Sequence, residues 1–152
     1  MSLSNSQTIP QKTLAASDIS AILNSSLEEG YPFIERLVHE YQNGSNQFNK
    51  PGEILLAVIQ NSQWIAIGGL NQDPYLPGKQ AGRVRHVYVL PNYRRQGIGK
   101  MLLQALITHA KENFQLLTLR TFTPEAALFY QNLGFQTDPE IPNVSHHMDL
   151  SD

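Results

Sequence analysis

Residues 83–100, RVRHVYVLPNYRRQGIGK, constrain this chain more than any other segment. The run up to Leu90 is rich in β-favouring side chains and stops at Pro91, which has no N–H for a sheet ladder. From Gly97 onward, Ile98, Met101, Leu102, Ala105, Leu106 and Ala110 fall on one helical stripe, with Lys100, Gln104, Thr108 and Lys111 outside it. A strand must therefore pass through a short basic turn into an amphipathic helix that lies on a sheet. A helix N-terminus presents unpaired N–H groups and the positive end of its dipole, and glycines let a ligand approach the backbone closely. Such a turn suits a pyrophosphate. Arg83, Arg85, Arg94, Arg95 and Lys100 gather positive charge here in a chain of net charge −2. The segment calls for an anionic ligand, while the overall balance argues against nucleic acid as a partner.

The chain of 152 residues reads as one domain over residues 1–152, long enough for a core without disulfides or a structural metal. It has no cysteine, which removes a disulfide scaffold, a thiolate zinc site and a cysteine nucleophile together. The polar start MSLSNSQTIP and the lack of a long apolar run predict a cytoplasmic protein with no membrane partner. Ser17-Asp18 is placed to cap a helix through Ile19, Ile22, Leu23 and Leu27. Phe33, Ile34, Leu37, Val38 and Tyr41 predict a second helix, ending at Asn43-Gly44. Residues 53–60 and 63–70 are β-rich runs joined by Asn61-Ser62, the spacing of a tight hairpin. Residues 71–82, with prolines and glycines, predict a surface loop, and 83–90 a third strand. Residues 115–121 read as a strand, Pro124 opens a helix to Leu133, and extended chain follows toward Leu150. That order, β, α, α, β, β, β, α, β, α, β, β, belongs to a mixed α/β or α+β domain.

Two other phosphate readers fail on residues. No G-x-x-x-x-G-K-[ST] run exists, and a dinucleotide fingerprint needs a third glycine where Leu102 stands. What Arg94-Arg95-Gln96-Gly97-Ile98-Gly99 does resemble is [RQ]-x-x-G-x-[GA], the acetyl-CoA signature of the GNAT superfamily of N-acetyltransferases. Val87-Tyr88-Val89-Leu90-Pro91 before it, and Ala126 through Phe135 after it (AALFYQNLGF), look like that family's pyrophosphate strand and its A-x-x-x-Y-x-x-x-G-F segment. The resemblance implies a central mixed, mostly antiparallel sheet of about six to seven strands flanked by about four helices.

It also implies roles. Backbone groups of Val87, Tyr88 and Val89 would pair with the pantetheine arm like an added strand. Arg94, Arg95, Gln96, Gly97, Ile98, Gly99 and Lys100 would hold the pyrophosphate, although for Arg95 and Lys100 a solvated helix face explains their positions equally well. Thr123 stands where many relatives carry an asparagine that contacts the cofactor arm. Tyr130 would serve as general acid toward the CoA thiolate, against the plainer reading of a core aromatic beside Phe129 and Phe135.

The attacking amine must be neutral, so a proton acceptor is needed. In relatives a carboxylate or histidine lies just upstream on the strand; here those places hold Arg83, Arg85 and His86. His86 is the candidate base, with Glu53, Asp73 or a water chain as alternatives, and alternation puts Val84, His86 and Tyr88 on the face opposite Arg83, Arg85 and Val87 unless a bulge intervenes. The two arginines point either to an anionic group on the acceptor or to ion pairs within the protein. His39-Glu40 lacks a second histidine at Asn43, and His146-His147 point to opposite faces, so no metal is expected. The reading is direct acetyl transfer from acetyl-CoA to a primary amine of a small molecule or peptide. The alternative is a CoA-binding sensor without turnover, and an exposed strand near the C-terminus offers an edge for a homodimer.

Overall fold

The computed structural model describes residues 6–151 apart from 12 and 79; the first five residues of the polar N-terminal decapeptide lie outside them. The elements are β1 (Ser6–Pro10), α1 (Ala16–Glu28), α2 (Phe33–Asn43), β2 (Ile54–Gln60), β3 (Gln63–Gln72), β4 (Ala81–Val89), α3 (Ile98–Asn113), β5 (Leu116–Leu119), α4 (Pro124–Asn132) and β6 (His146–Asp149). A 3-10 turn at Pro91–Tyr93 joins β4 toward α3. The strands form one sheet in sequence order. Every neighbouring pair is antiparallel except β4 and β5, which run parallel. This is the mixed, mostly antiparallel sheet with four helices that the sequence leads one to expect.

Local chemistry explains most boundaries. Asn61 and Ser62 both have positive φ, 52° and 63°, as a two-residue hairpin with the twist of its strands requires. Gly44, at φ 82°, ends α2 in the left-handed conformation that glycine adopts without penalty. Pro124 opens α4, and Thr123 Oγ1 accepts a hydrogen bond from the Ala126 N–H at 3.2 Å. Two boundaries differ from expectation. Neither Ser17 nor Asp18 caps α1, which starts at Ala16 behind an uncapped Ala15; Asp18 sits in the first turn, where its charge favours the helix dipole. The loop predicted over 71–82 is shorter, because Asn71 and Gln72 extend β3 and pair with Arg83 and Gly82. The Glu53 carboxylate holds that extension, accepting from Asn71 Nδ2 at 3.0 Å and from the Gln72 N–H at 2.9 Å.

The sheet is covered on both faces. On one lies α3, with Ile98, Leu102, Leu103, Leu106 and Ala110 buried; Leu103 joins the stripe expected from spacing. A Cβ on Gly68 would stand 3.1 Å from Leu102 and 3.2 Å from Leu106, so the glycine lets α3 settle onto β3. Its neighbour Gly69 points to the other face, where Phe48 packs and where α1 and α2 bury Ile19, Ile22, Ile34 and Leu37. Among the described residues no helix is long and apolar enough to cross a membrane. The strand expected near the C-terminus is β6, last in the sheet, and Gln136 forms an isolated bridge with its His147.

Leu106 is fully buried between α3 and the sheet. Leu106→Ala should cost about 2–5 kcal/mol in urea unfolding with an unchanged denaturant slope; a loss under about 1 kcal/mol would contradict this packing.

Candidate functional site

The β4–β5 ladder holds for three pairs only, Ala81↔Leu116, Gly82↔Leu117 and Arg83↔Thr118. Beyond Arg83, β4 continues to Val89 with no strand on its β5-facing edge among the described residues, and an extended ligand can add there as a strand would, short of the Val89 carbonyl, which accepts from Arg94 Nε. The strand then enters the turn that precedes α3. Arg95 and Gly97 are both left-handed, φ 63° and 82°. No backbone hydrogen bond of ordinary geometry is donated by the N–H groups of Arg95 through Lys100 among the described residues, although residues 94–97 fold as a turn. Successive free N–H groups at alternating backbone conformations, backed by a sixteen-residue helix, form an anion-binding concavity. The structure therefore fits a phosphate-bearing ligand with an extended arm. Gly99 faces α4: a Cβ there would stand 3.4 Å from Phe129, an ordinary contact, which is why alanine suits this place and not position 97.

The expected alternation along β4 is broken. Between Arg85 and Tyr88 the strand advances three residues while β3 advances two, from Gly69 to Ile67. The bulged residue is His86, at φ 61°. A Cβ on Gly82 would meet Phe114 at the end of α3, so Arg83 and, by alternation, Arg85 face α1 and α2. The extra residue puts His86 on that same face instead of the opposite one, and returns Val87 to the α3 side against Gly68. His86 Nδ1 lies 3.1 Å from the Phe33 carbonyl oxygen, which fixes the proton on Nδ1. Nε2 is buried without a partner, and the ring meets Phe48 edge-on. Burial, with the positive charge of Arg85, lowers its pKa to about 3.

Tyr130 is buried beneath Phe129, Phe135 and His146. Its hydroxyl has no partner among the described residues, and burial pushes its pKa up to about 12. Its proton therefore stays in place across the neutral range. Thr123, the expected arm contact, spends an acceptor lone pair on the α4 cap and keeps its hydroxyl proton.

The residues named as acceptor or base candidates are not brought together. The Glu53 carboxylate is taken up by Lys50, Asn71 and Gln72. Asp73 is buried where β4 and β5 part, accepting from Thr118 Oγ1 at 2.6 Å and from the Tyr75 N–H at 2.8 Å. Arg83 lies beside it, Nη1 at 3.6 Å from Asp73 Oδ2, with Nη2 donating to the Asn143 carbonyl oxygen and Tyr75 stacked at 5.0 Å. Arg85 is half-buried on β4.

Sequence reasoning missed Ser25 and Glu29. Arg94 does not direct its guanidinium into the turn: it donates from Nη1 and Nη2 to Glu29 at 2.9 and 2.7 Å, and from Nε to the Val89 carbonyl oxygen at 2.9 Å. Tyr88 also donates to Glu29, and Ser25 bonds the Tyr88 hydroxyl at 2.7 Å. Arg94's hydrogen bonds hold the Glu29 carboxyl below its usual range, while burial and then Glu29 raise Tyr88. One signal existed: Glu28-Glu29 ends α1 with no basic residue in its last turn, against the helix dipole, so a cation had to be near.

Comparison with known proteins accords with this geometry. Residues 51–137 match the acetyltransferase (GNAT) domain family. Over 129 residues the chain is 34% identical to an N-alpha-acetyltransferase of Sulfurisphaera tokodaii, spanning 80% of this chain and 73% of that protein. A proposed acetyltransferase from Exiguobacterium sp. 255-15 superposes with TM-score 0.83 at 29% identity, covering 95% of this chain and 93% of the other. The ribosomal-protein-S18-alanine N-acetyltransferase from Escherichia coli shares the fold at TM-score 0.67 and 19% identity, covering 96% of each chain.

Because only Gly97 of the two turn glycines is left-handed, Gly97→Ala should cost about 1–2 kcal/mol and weaken CoA binding, while Gly99→Ala keeps it; equal effects in calorimetric titration would refute the assignment. His86 binds its proton far more readily unfolded than folded, so its contribution to stability is complete above about pH 6.5 and is lost as pH falls toward 3. Stability should drop by up to about 1.4 kcal/mol per pH unit in that window, and more gently in His86→Gln. Parallel profiles for the two proteins would show that His86 is not buried neutral.

Proposed function

Because the chain belongs to the acetyltransferase (GNAT) family, with acetyl-CoA as donor, we propose that this N-acetyltransferase acts on the α-amino group of a peptide or similar compound, with Tyr130 as the general acid. The observation that carries the acceptor class is that four candidate proton acceptors, His86, Glu29, Glu53 and Asp73, are weak or engaged. His86 titrates near 3, Glu29 is held low by Arg94, and Glu53 and Asp73 are spent on hydrogen bonds inside the protein. No carboxylate lies on β4 itself. Such a site favours an amine that needs little help. At about pH 7.5 roughly a third of α-amino groups are neutral, against about one in a thousand lysine side chains. The resemblance to an N-alpha-acetyltransferase supports the same class.

Bound acetyl-CoA supplies a thioester already activated toward amines. The chain's own part is to orient and to manage protons. The free edge of β4 from Val87 to Val89 pairs with the arm, and the N–H groups of residues 95–100 receive the pyrophosphate. Tyr130, protonated at all working pH values, donates to the departing sulfur. With no cysteine in the chain, transfer is direct, without a thiol-bound enzyme intermediate. Of the two strand arginines, Arg85, half-buried on the same face as His86, is the one left for an anionic group on the acceptor. The lack of a carboxylate on β4 is what motivates the alternative of a CoA-binding sensor without turnover, and the protonated Tyr130 argues against it.

With saturating acetyl-CoA, lysine-free peptides bearing a free N-terminus should turn over faster than Nα-blocked lysine peptides or polyamines. Their kcat/KM should rise with pH to a plateau with an apparent pKa near 8, that of the acceptor. Tyr130→Phe should lower kcat by about 100-fold, at the low end of general acid–base effects, while leaving CoA affinity unchanged. Preference for lysine side chains would overturn the acceptor class, and full activity in Tyr130→Phe the role of the phenol.

A further inference from the structure

We infer that Arg94, Glu29 and Tyr88 form a clamp that positions the phosphate-binding turn from helix α1, and that Arg94 is a positioning residue and not a phosphate ligand. The inference rests on the proposed reading of residues 95–100 as the turn that receives the pyrophosphate. Three donors of the Arg94 guanidinium are committed to protein acceptors: Nη1 and Nη2 to the two oxygens of Glu29, and Nε to the Val89 carbonyl. The guanidinium also lies over the Tyr88 ring, 5.3 Å from its centre. Tyr88 and Ser25 complete the chain of hydrogen bonds back to α1. A bidentate pair with an aromatic face beneath it is geometrically determined in a way that an ordinary surface ion pair is not.

The position of Glu29 shows that the contact is not incidental. It caps the C-terminus of α1 beside Glu28, where backbone carbonyls already concentrate negative potential. A carboxylate there is unfavourable unless a cation neutralises it, and Arg94 is that cation. The clamp meets the turn at two points, the last residue of β4 and the first residue of the signature. The left-handed Arg95 and Gly97 follow at once, so the orientation of the free N–H groups downstream is set by where Arg94 is anchored. Because α1 also leads into Tyr31, whose ring is tilted against Phe33, and Phe33 meets Tyr88 edge-on, the same clamp ties the segment after α1 to the turn.

The two roles of Arg94 predict opposite signs for a change at Glu29. If Arg94 were a phosphate ligand, Glu29→Gln would remove a nearby negative charge and leave CoA binding unchanged or tighter. If it is a clamp, Glu29→Gln weakens CoA binding by about five-fold, Arg94→Ala does the same, and the double variant is no weaker than Arg94→Ala alone. Calorimetric titration of CoA into the four proteins reads this, with thermal melts confirming that each is folded. In the unliganded proteins, backbone 15N order parameters at Arg95–Gly97 should fall in Glu29→Gln relative to wild type. Tight CoA binding by wild type with unchanged or tighter binding by Glu29→Gln would overturn the clamp, as would unchanged order parameters. Failure of the wild type to bind CoA would sink the reading of the turn on which it rests.

Discussion

The parting of β4 from β5 after Arg83 is the constraint on which the site depends. Both strands belong to one sheet and run parallel, yet only three residue pairs hold them together. At the vertex, buried Asp73 bonds Thr118 on β5 and lies against Arg83 on β4, so a polar lock closes the ladder where apolar packing alone would not fix its end. Past it, β4 is supported by β3 and by helices on both faces, and its free edge is held straight enough to receive a ligand. The turn and the start of α3 lie at the end of that edge, so edge and turn form one continuous stretch of backbone.

The bulge at His86 gives this strand its two faces. One extra residue turns Arg83, Arg85, His86 and Tyr88 toward α1 and α2, and leaves Val87 against α3. A non-glycine residue held at φ 61° costs energy, and the Phe33 carbonyl and the Phe48 ring keep it there. The same enclosure makes the imidazole a poor base.

What was legible in the sequence is what depends on backbone and on period. The left-handed Gly97, the helical stripe from Ile98 to Ala110 and the Asn61-Ser62 hairpin each need particular residue types at particular spacings, so they mark themselves. The bulge does not: histidine carries no signature for it, and alternation over residues 83–89 reads equally well without it. Nor does the pairing of Arg94 with Glu29, sixty-five positions away, since a surface carboxylate offers no periodicity to follow. The sequence left Arg83 open between an anionic acceptor group and an ion pair within the protein, and Asp73 as its partner was hidden for the same reason.

An open strand edge has a further consequence. Unpaired backbone groups normally invite a strand from another molecule, which leads to fibres and insoluble aggregates. Here the open edge is interior to the sheet, with β5 on its far side, α4 near the first turn of α3, and Arg94 covering the Val89 carbonyl. By placing this edge within the sheet and not at its margin, the fold keeps a backbone-pairing site open where neighbouring elements limit the approach of another chain.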